Sequence, residues 1–241
     1  MKAFLAALGF LTRVPVPARV FDDVRATRES LVWYPAVGLV VSLVLWLVAW
    51  MVHAWPPLIG AALVLGAWVT VTGALHLDGL ADSADAWVGG IGDRERTLAI
   101  MKDPCSGPAG VVALVLVLLL KFAALASAIL VGNAALLLSP MLARAALTLA
   151  FLTTPYARAN GLGSALQGAS RTSCQIALAL AAALAVLCGW RGLCGLLVAA
   201  MVFVIWRAAC VHRLGGFTGD TCGALAELTE AAVLVAVLVA S

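Results

Sequence analysis

Charge is what this sequence has least of. Of its 241 residues only 11% are Asp, Glu, Lys or Arg, while 64% are apolar. A water-soluble domain carries about a quarter charged and about half apolar residues, so a soluble globular protein is excluded and a chain that uses lipid as its solvent is indicated. Aromatic residues are sparse at 7%, the formal net charge is only +3, and the basic residues are scattered at the ends of apolar runs. No basic face interleaved with aromatics is present, so no nucleic-acid partner is expected.

Paired cysteine motifs are also missing. Cys105, Cys174, Cys188, Cys194, Cys210 and Cys222 form no Cys-x-x-Cys pair. They read as small apolar side chains, not as a disulfide frame or a zinc site. The start, Met1-Lys2 and then Ala3 to Leu11, has the outline of a secretory signal. Its apolar run is short, ends at Thr12-Arg13 and precedes no small-x-small cleavage site, so a retained helix lying on the membrane is expected.

What the sequence does have is long apolar runs. After a polar stretch from Arg13 to Ser30, seven of them lie near 32–53, 57–77, 109–130, 133–152, 174–189, 193–210 and 224–240. They predict an all-α fold: a multi-pass transmembrane helix bundle of about seven spans plus an amphipathic N-terminal helix, one integral membrane domain over 1–241. The fifth and sixth runs are short enough to form a tight helical hairpin instead. One set of loops holds Lys2, Arg13, Arg19, Arg25, Arg28, Arg94, Arg96, Lys102, Arg158, Arg171 and Arg213, and the opposite set holds only Arg191. The positive-inside rule then puts the amino terminus and the loops 78–108, 153–173 and 211–223 in the cytoplasm.

Those loops carry the chemistry. His76-Leu77-Asp78-Gly79-Leu80-Ala81-Asp82-Ser83-Ala84-Asp85 follows an uncharged run and places three aspartates within about 60° of one another on a helix. Carboxylates on one stripe repel, so a stable helix wants a cation before them, and magnesium through oxygen ligands is the natural choice. A solvated acidic first turn is the plainer alternative, but it does not need its acids on one face. His76 points about 160° from Asp78 in an unbroken helix, and a break at Gly79 would free it. Beyond Gly89-Gly90 comes Ile100-Met101-Lys102-Asp103-Pro104, then Gly107 and Gly110, glycines beside a lysine as in phosphate-binding loops but without an established spacing. A simple Pro/Gly turn reads the same composition equally well.

Lys121 and Arg144 lie deep inside the third and fourth runs, where a charge costs at least about 2.5 kcal/mol unless it pairs or lines a wet cavity. Pairing with acids or with a substrate phosphate is expected. Arg158, near Thr154-Pro155-Tyr156 and before Gly161-Leu162-Gly163, offers a fork that matches phosphate oxygens. The last motif is Gly215-Gly216-Phe217-Thr218-Gly219-Asp220, with Glu227 and Glu230 about two and about three helical turns on. Leu80-Ala81-Asp82-x-x-Asp85-Ala86 and Leu225-Ala226-Glu227-x-x-Glu230-Ala231 share a pattern. Chance similarity in an alanine-rich chain is one reading, and two acidic pairs facing across a metal-filled gap is the other.

Taken in order, these motifs resemble the cobalamin synthase (adenosylcobinamide-GDP ribazoletransferase) family. The pieces are Phe10-Leu11-Thr12-Arg13-Val14-Pro15, Tyr34-Pro35-Ala36-Val37-Gly38, His76-Leu77-Asp78-Gly79-Leu80-Ala81-Asp82 with Asp85, Lys102-Asp103 with Gly107 and Gly110, Lys121-Phe122, Pro155-Tyr156-Ala157-Arg158, and Gly215-Gly216-Phe217-Thr218-Gly219-Asp220 with Gly223 and Glu227. The resemblance implies a magnesium-dependent enzyme of the bacterial cytoplasmic membrane that joins α-ribazole or its 5′-phosphate to adenosylcobinamide-GDP and releases GMP. It implies Asp78, Asp82, Asp85, Asp220 and Glu227 as metal ligands, Asp82, His76 and Lys102 as catalytic residues, and Lys102, Lys121, Arg144 and Arg158 on substrate phosphates. Oligomeric state is left open. A CDP-alcohol-type head-group transferase is a rival, but Asp78-Gly79 runs on to Ala81-Asp82 without that family's arginine. A transporter is the non-enzyme rival, suggested by Lys121 and Arg144 at depth.

Overall fold

The computed structural model describes residues 1–131, 134–158, 162–166 and 168–240, the side chains of 128–131, 162 and 164 excepted. Apart from an isolated bridge between Tyr156 and Phe217, the described residues contain no strand pairing. The helices are α1 (Lys2–Leu11), α2 (Val24–Glu29), α3 (Tyr34–Met51), α4 (Pro57–Thr72), α5 (Leu75–Gly89), α6 (Arg94–Ile100), α7 (Pro108–Val131), α8 (Ala134–Thr153), α9 (Arg171–Leu187), α10 (Gly189–Leu214) and α11 (Gly219–Val239). Leucine and alanine favour helix throughout, and prolines at the first or second position open α3, α4 and α7. Side chains of Asp23, Asp93, Ser170 and Thr218 cap α2, α6, α9 and α11.

By length and apolarity five segments can cross a bilayer: Val24–Met51, Pro108–Ser127, α8, α10 and α11. The sharply bent pair α4–α5 makes six if taken as one broken span. This lowers the expected count of about seven. The 57–77 and 174–189 runs become helices of only 16 and 17 residues, short of the roughly 20 that span hydrocarbon.

α8 and α11 are the inner helices, while α7 and α10 turn most of their surface outward. Leu43, Trp46, Leu116, Leu119, Leu197 and Val204 are exposed on the outer faces. So much apolar surface is stable only against lipid, and the protein is a multi-pass membrane protein. The loops 90–107 and 215–218 and the segment 154–158 gather at one end of the bundle, joined by bonds such as Arg94 Nε to Leu214 O (2.9 Å) and Phe217 N to Pro155 O (3.0 Å).

The feature that positions the site is the turn after α4. Gly73 (φ 62°) and Ala74 (φ 57°) are both left-handed, and together they bend the chain by 88°. Glycine adopts that conformation freely, whereas alanine pays about 1–2 kcal/mol for it. α5 then lies across the loop-bearing end, outside the five spans, against α11 and α7. Its contact with α11 is backbone to backbone. A Cβ on Gly79 would stand 2.6 Å from Asp220 O, and one on Gly223 would stand 3.2 Å from Gly79 Cα. Gly79→Val is therefore expected to push α5 off α11, costing about 1–3 kcal/mol of stability. It should also cost at least about tenfold in activity. Thermal unfolding and turnover of the purified variant check this, and wild-type values in both would remove the close approach as a requirement.

Candidate active site

Asp78, Asp82 and Asp85 do share one face of α5, but they have different tasks. Asp85 Oδ2 accepts from Gly107 N (2.6 Å) and Oδ1 from Gly110 N (2.9 Å), so both its oxygens cap the amino end of α7. A Cβ at Gly107 or Gly110 would come within 2.5 Å of that carboxylate, which is why both positions lack one. Asp85, expected as a metal ligand, is an anchor between α5 and α7, held by the orphan amides of a helix start.

Asp78 is exposed and Asp82 half-buried, and both interact with Asp220 on the first turn of α11. The left-handed Gly215 ends α10, and Thr218 starts α11 with a capping box to Thr221. Between them Phe217 N donates to Pro155 O (3.0 Å) and Ala157 N to Phe217 O (2.7 Å). That short ladder carries Arg158 to Asp220, with Nη2 3.0 Å from Oδ2. Gly161, read from the sequence as part of this motif, lies outside the described residues.

Burial, and then the charges of Asp78, Asp220 and Asp85, push the Asp82 carboxyl up to about 6, with Arg158 pulling the other way. Negative charge is in surplus here. The donors are carboxylate oxygens, the chemistry a hard divalent cation takes, so Asp78, Asp82 and Asp220 are the residues that would hold one. Among the described residues no three His, Cys, Asp or Glu side chains stand close enough to hold an ion as they are.

Glu227 does not join them. Lys121 Nζ donates to Glu227 Oε2 at 2.6 Å and also to Glu230, and Arg144 Nη1 pairs with Glu230. Trp68 Nε1 donates to Glu230 Oε1 (3.3 Å), and the Lys121 ammonium sits 4.5 Å from the Trp68 ring centroid. All four charged side chains are buried, two of each sign. Lys121 and Arg144 thus take the first of their two expected roles, pairing with acids, and Glu227, named as a metal ligand, is held here by Lys121. The cations that the second acidic pair needs are supplied by α7 and α8, so the two Leu-Ala-acid patterns do not face each other across an ion.

His76 is buried at the start of α5, its Nδ1 3.3 Å from Arg144 Nη2. A guanidinium only donates, so Nδ1 accepts and the ring proton belongs on Nε2. His76, expected as catalytic, ties α5 to the buried charges through this contact. Lys102 lies exposed after α6 with no side-chain partner among the described residues. Sequence reading missed Trp68 and Ser139, whose hydroxyl donates to Glu230 O (2.8 Å). Nothing in their local pattern marks them, because only packing brings them to Glu230.

A family model described as Cobalamin-5-phosphate synthase matches residues 3–238. The chain is 54% identical over 238 residues to the adenosylcobinamide-GDP ribazoletransferase of Pseudomonas paraeruginosa, covering 98% of this chain and 97% of that one. It is 52% identical to the enzyme of that name from Stutzerimonas stutzeri, with 98% and 97% covered. To that from Pseudomonas fluorescens it is 51% identical, with 95% and 96% covered. No solved structure matches it. With the match running almost end to end, through the acidic face of α5 and the start of α11 alike, the chain belongs to the Cobalamin-5-phosphate synthase family.

Proposed function

We propose that this transferase joins α-ribazole, or its 5′-phosphate, to adenosylcobinamide-GDP and releases GMP. The ribazole 3′-hydroxyl oxygen bonds to the phosphorus bearing the cobinamide, the diphosphate bridge breaks, and the hydroxyl proton passes to a base. The observation that carries the reading is the meeting of Asp78, Asp82 and Asp220 with Arg158 at one end of the bundle. Phosphoryl transfer asks a protein for positioning and for charge stabilisation on a diphosphate, and little else.

Magnesium, held by Asp78, Asp82 and Asp220, would neutralise phosphate oxygens and the developing charge on GMP. Arg158 turns its fork toward the same opening, and its tie to Asp220 keeps the guanidinium aimed before substrate arrives. Lys102, on an exposed turn, adds charge for the diphosphate. Gly79 and Gly223 let the two acidic helices approach closely enough to share a ligand. The active end faces the cytoplasm of a bacterial cell, with the amino terminus on that side, as the distribution of lysine and arginine supports. The charges that would have suited a transporter are neutralised by one another inside the bundle.

The test is release of GMP from adenosylcobinamide-GDP by the detergent-purified protein. Release should require both α-ribazole and magnesium and should stop on chelation. No release with both present removes the transferase reading, and full release in excess chelator removes the metal.

A further inference from the structure

Phe10 and Leu11, at the end of α1, line a cavity of about 170 Å³ together with Leu75, Asp78 and Asp220. Two residues further on, Arg13 N donates to Val71 O (2.7 Å), which clamps the chain to the carboxyl end of α4. The Arg13 side chain then lies across Gly73. A Cβ on Gly73 would stand 2.8 Å from the Cγ and Cδ of Arg13 and closer still to its Nε. The arginine stem is thus seated on the left-handed residue that begins the bend into α5, two positions before Leu75 of the cavity wall. Beyond the stem the side chain is exposed, and its guanidinium makes no hydrogen bond or ion pair among the described residues. A held stem with a charged, five-donor head left free is a prepared anion ligand.

We infer that Arg13 receives the 5′-phosphate of the incoming nucleotide and so sets the choice between α-ribazole 5′-phosphate and α-ribazole. The inference rests on the transferase reading and names the group that one further residue recognises. A cavity of about 150 Å³ accepts a benzene ring, so this one has room for a sugar ring. The carboxylates of Asp78 and Asp220 accept from sugar hydroxyls, which suits a 3′-hydroxyl held near Arg158 and the diphosphate. The 3′ and 5′ substituents leave a ribose on opposite faces, so the 5′-phosphate is directed away from that end. Arg13 stands there: Ala74, beside Gly73, lies eight residues and about 12 Å before Asp82 along α5. A phosphate placed beside Asp78 also needs a cation of its own, because the carboxylate repels it. Arg158 is tied to Asp220, and Lys121 and Arg144 to Glu227 and Glu230. The rival ligand for an exposed arginine near lipid is a phospholipid phosphate, and the choice of nucleoside separates the two.

The experiment measures GMP release by the detergent-purified full-length protein with α-ribazole 5′-phosphate and with α-ribazole. It compares wild type, Arg13→Met, which keeps an unbranched stem over Gly73, and Arg13→Lys, which keeps the charge. In wild type the KM for the phosphate should be about ten- to a hundredfold the lower of the two, the effect of charge-assisted hydrogen bonds. The ratio of the two KM values should fall toward one in Arg13→Met and partly return in Arg13→Lys. A wild-type ratio near one overturns the assignment while leaving the transferase reading intact. So does an unchanged ratio in Arg13→Met, which would make Arg13 a support of the bend or a lipid anchor. If Arg13→Met does not fold, Arg13→Lys decides: an intermediate ratio supports the site and the wild-type ratio overturns it. Wild type that releases no GMP with either nucleoside removes the transferase reading. Calorimetric titration with α-ribazole 5′-phosphate alone then decides, binding weakened in the variants supporting the site and equal or absent binding overturning it.

Discussion

Asp82→Asn is expected to lower GMP release by about a hundred- to ten-thousand-fold while the protein still inserts and folds. Burial, and then the repulsion of Asp78, Asp220 and Asp85, hold the Asp82 carboxyl up to about 6. Whether it holds the ion or takes the ribazole proton, its work needs the negative charge that asparagine lacks. The same repulsion makes a second prediction of opposite sign. A carboxyl raised from its ordinary 3.8 destabilises the folded state progressively as pH rises from 3.8 to about 6, and the penalty is fully present above that. Without divalent cation, Asp82→Asn should therefore unfold at a higher temperature than wild type at pH 7, with the gain fading as pH falls from about 6 to 3.8. Activity lost and stability gained is the signature of a site that stores repulsion for a ligand. Near-normal GMP release in the variant would sink the assignment.

Lys121→Met is expected to be the most damaging single change to the fold. Lys121 is buried between α4, α7 and α11 and donates to both Glu227 and Glu230. Removing it leaves two buried carboxylates facing Arg144 alone. Breaking a buried pair in this way costs about 3–5 kcal/mol, a large share of the roughly 5–15 kcal/mol that holds a protein folded. The yield of monodisperse protein and its melting temperature should both drop sharply. Lys121→Met with Glu227→Gln restores the balance of charge and should recover a substantial part of the loss. A Lys121→Met protein that is as stable as wild type but inactive would instead return Lys121 to the substrate, the role that its sequence position alone also allowed.

Much of this was legible without coordinates because it depends on composition and local spacing. Charge scarcity announced the bilayer, the 78–82–85 spacing put three acids on one helical face, and the resemblance led to the family that the relatives support. The number of crossings was less legible, since hydropathy cannot see the two left-handed residues that end α4 and lay α5 across the bundle. The tie of Asp85 to α7 was not legible, because nothing local says that Gly107 and Gly110 will aim their amides at it. That Glu227 and Glu230 pair with Lys121 and Arg144 was not legible, because these partners lie 86 to 109 residues apart in the chain.

The sequence by itself determined the solvent this protein lives in, the helices it forms and the acids it keeps at one end, because these follow from residue types and their periods. Which acids stay free for a ligand was decided only by the tertiary structure. Opposite charges pair across helices distant in sequence, and each carboxylate that finds an internal cation or a helix start is withdrawn from chemistry, leaving Asp78, Asp82 and Asp220 with more negative charge than Arg158 can cancel.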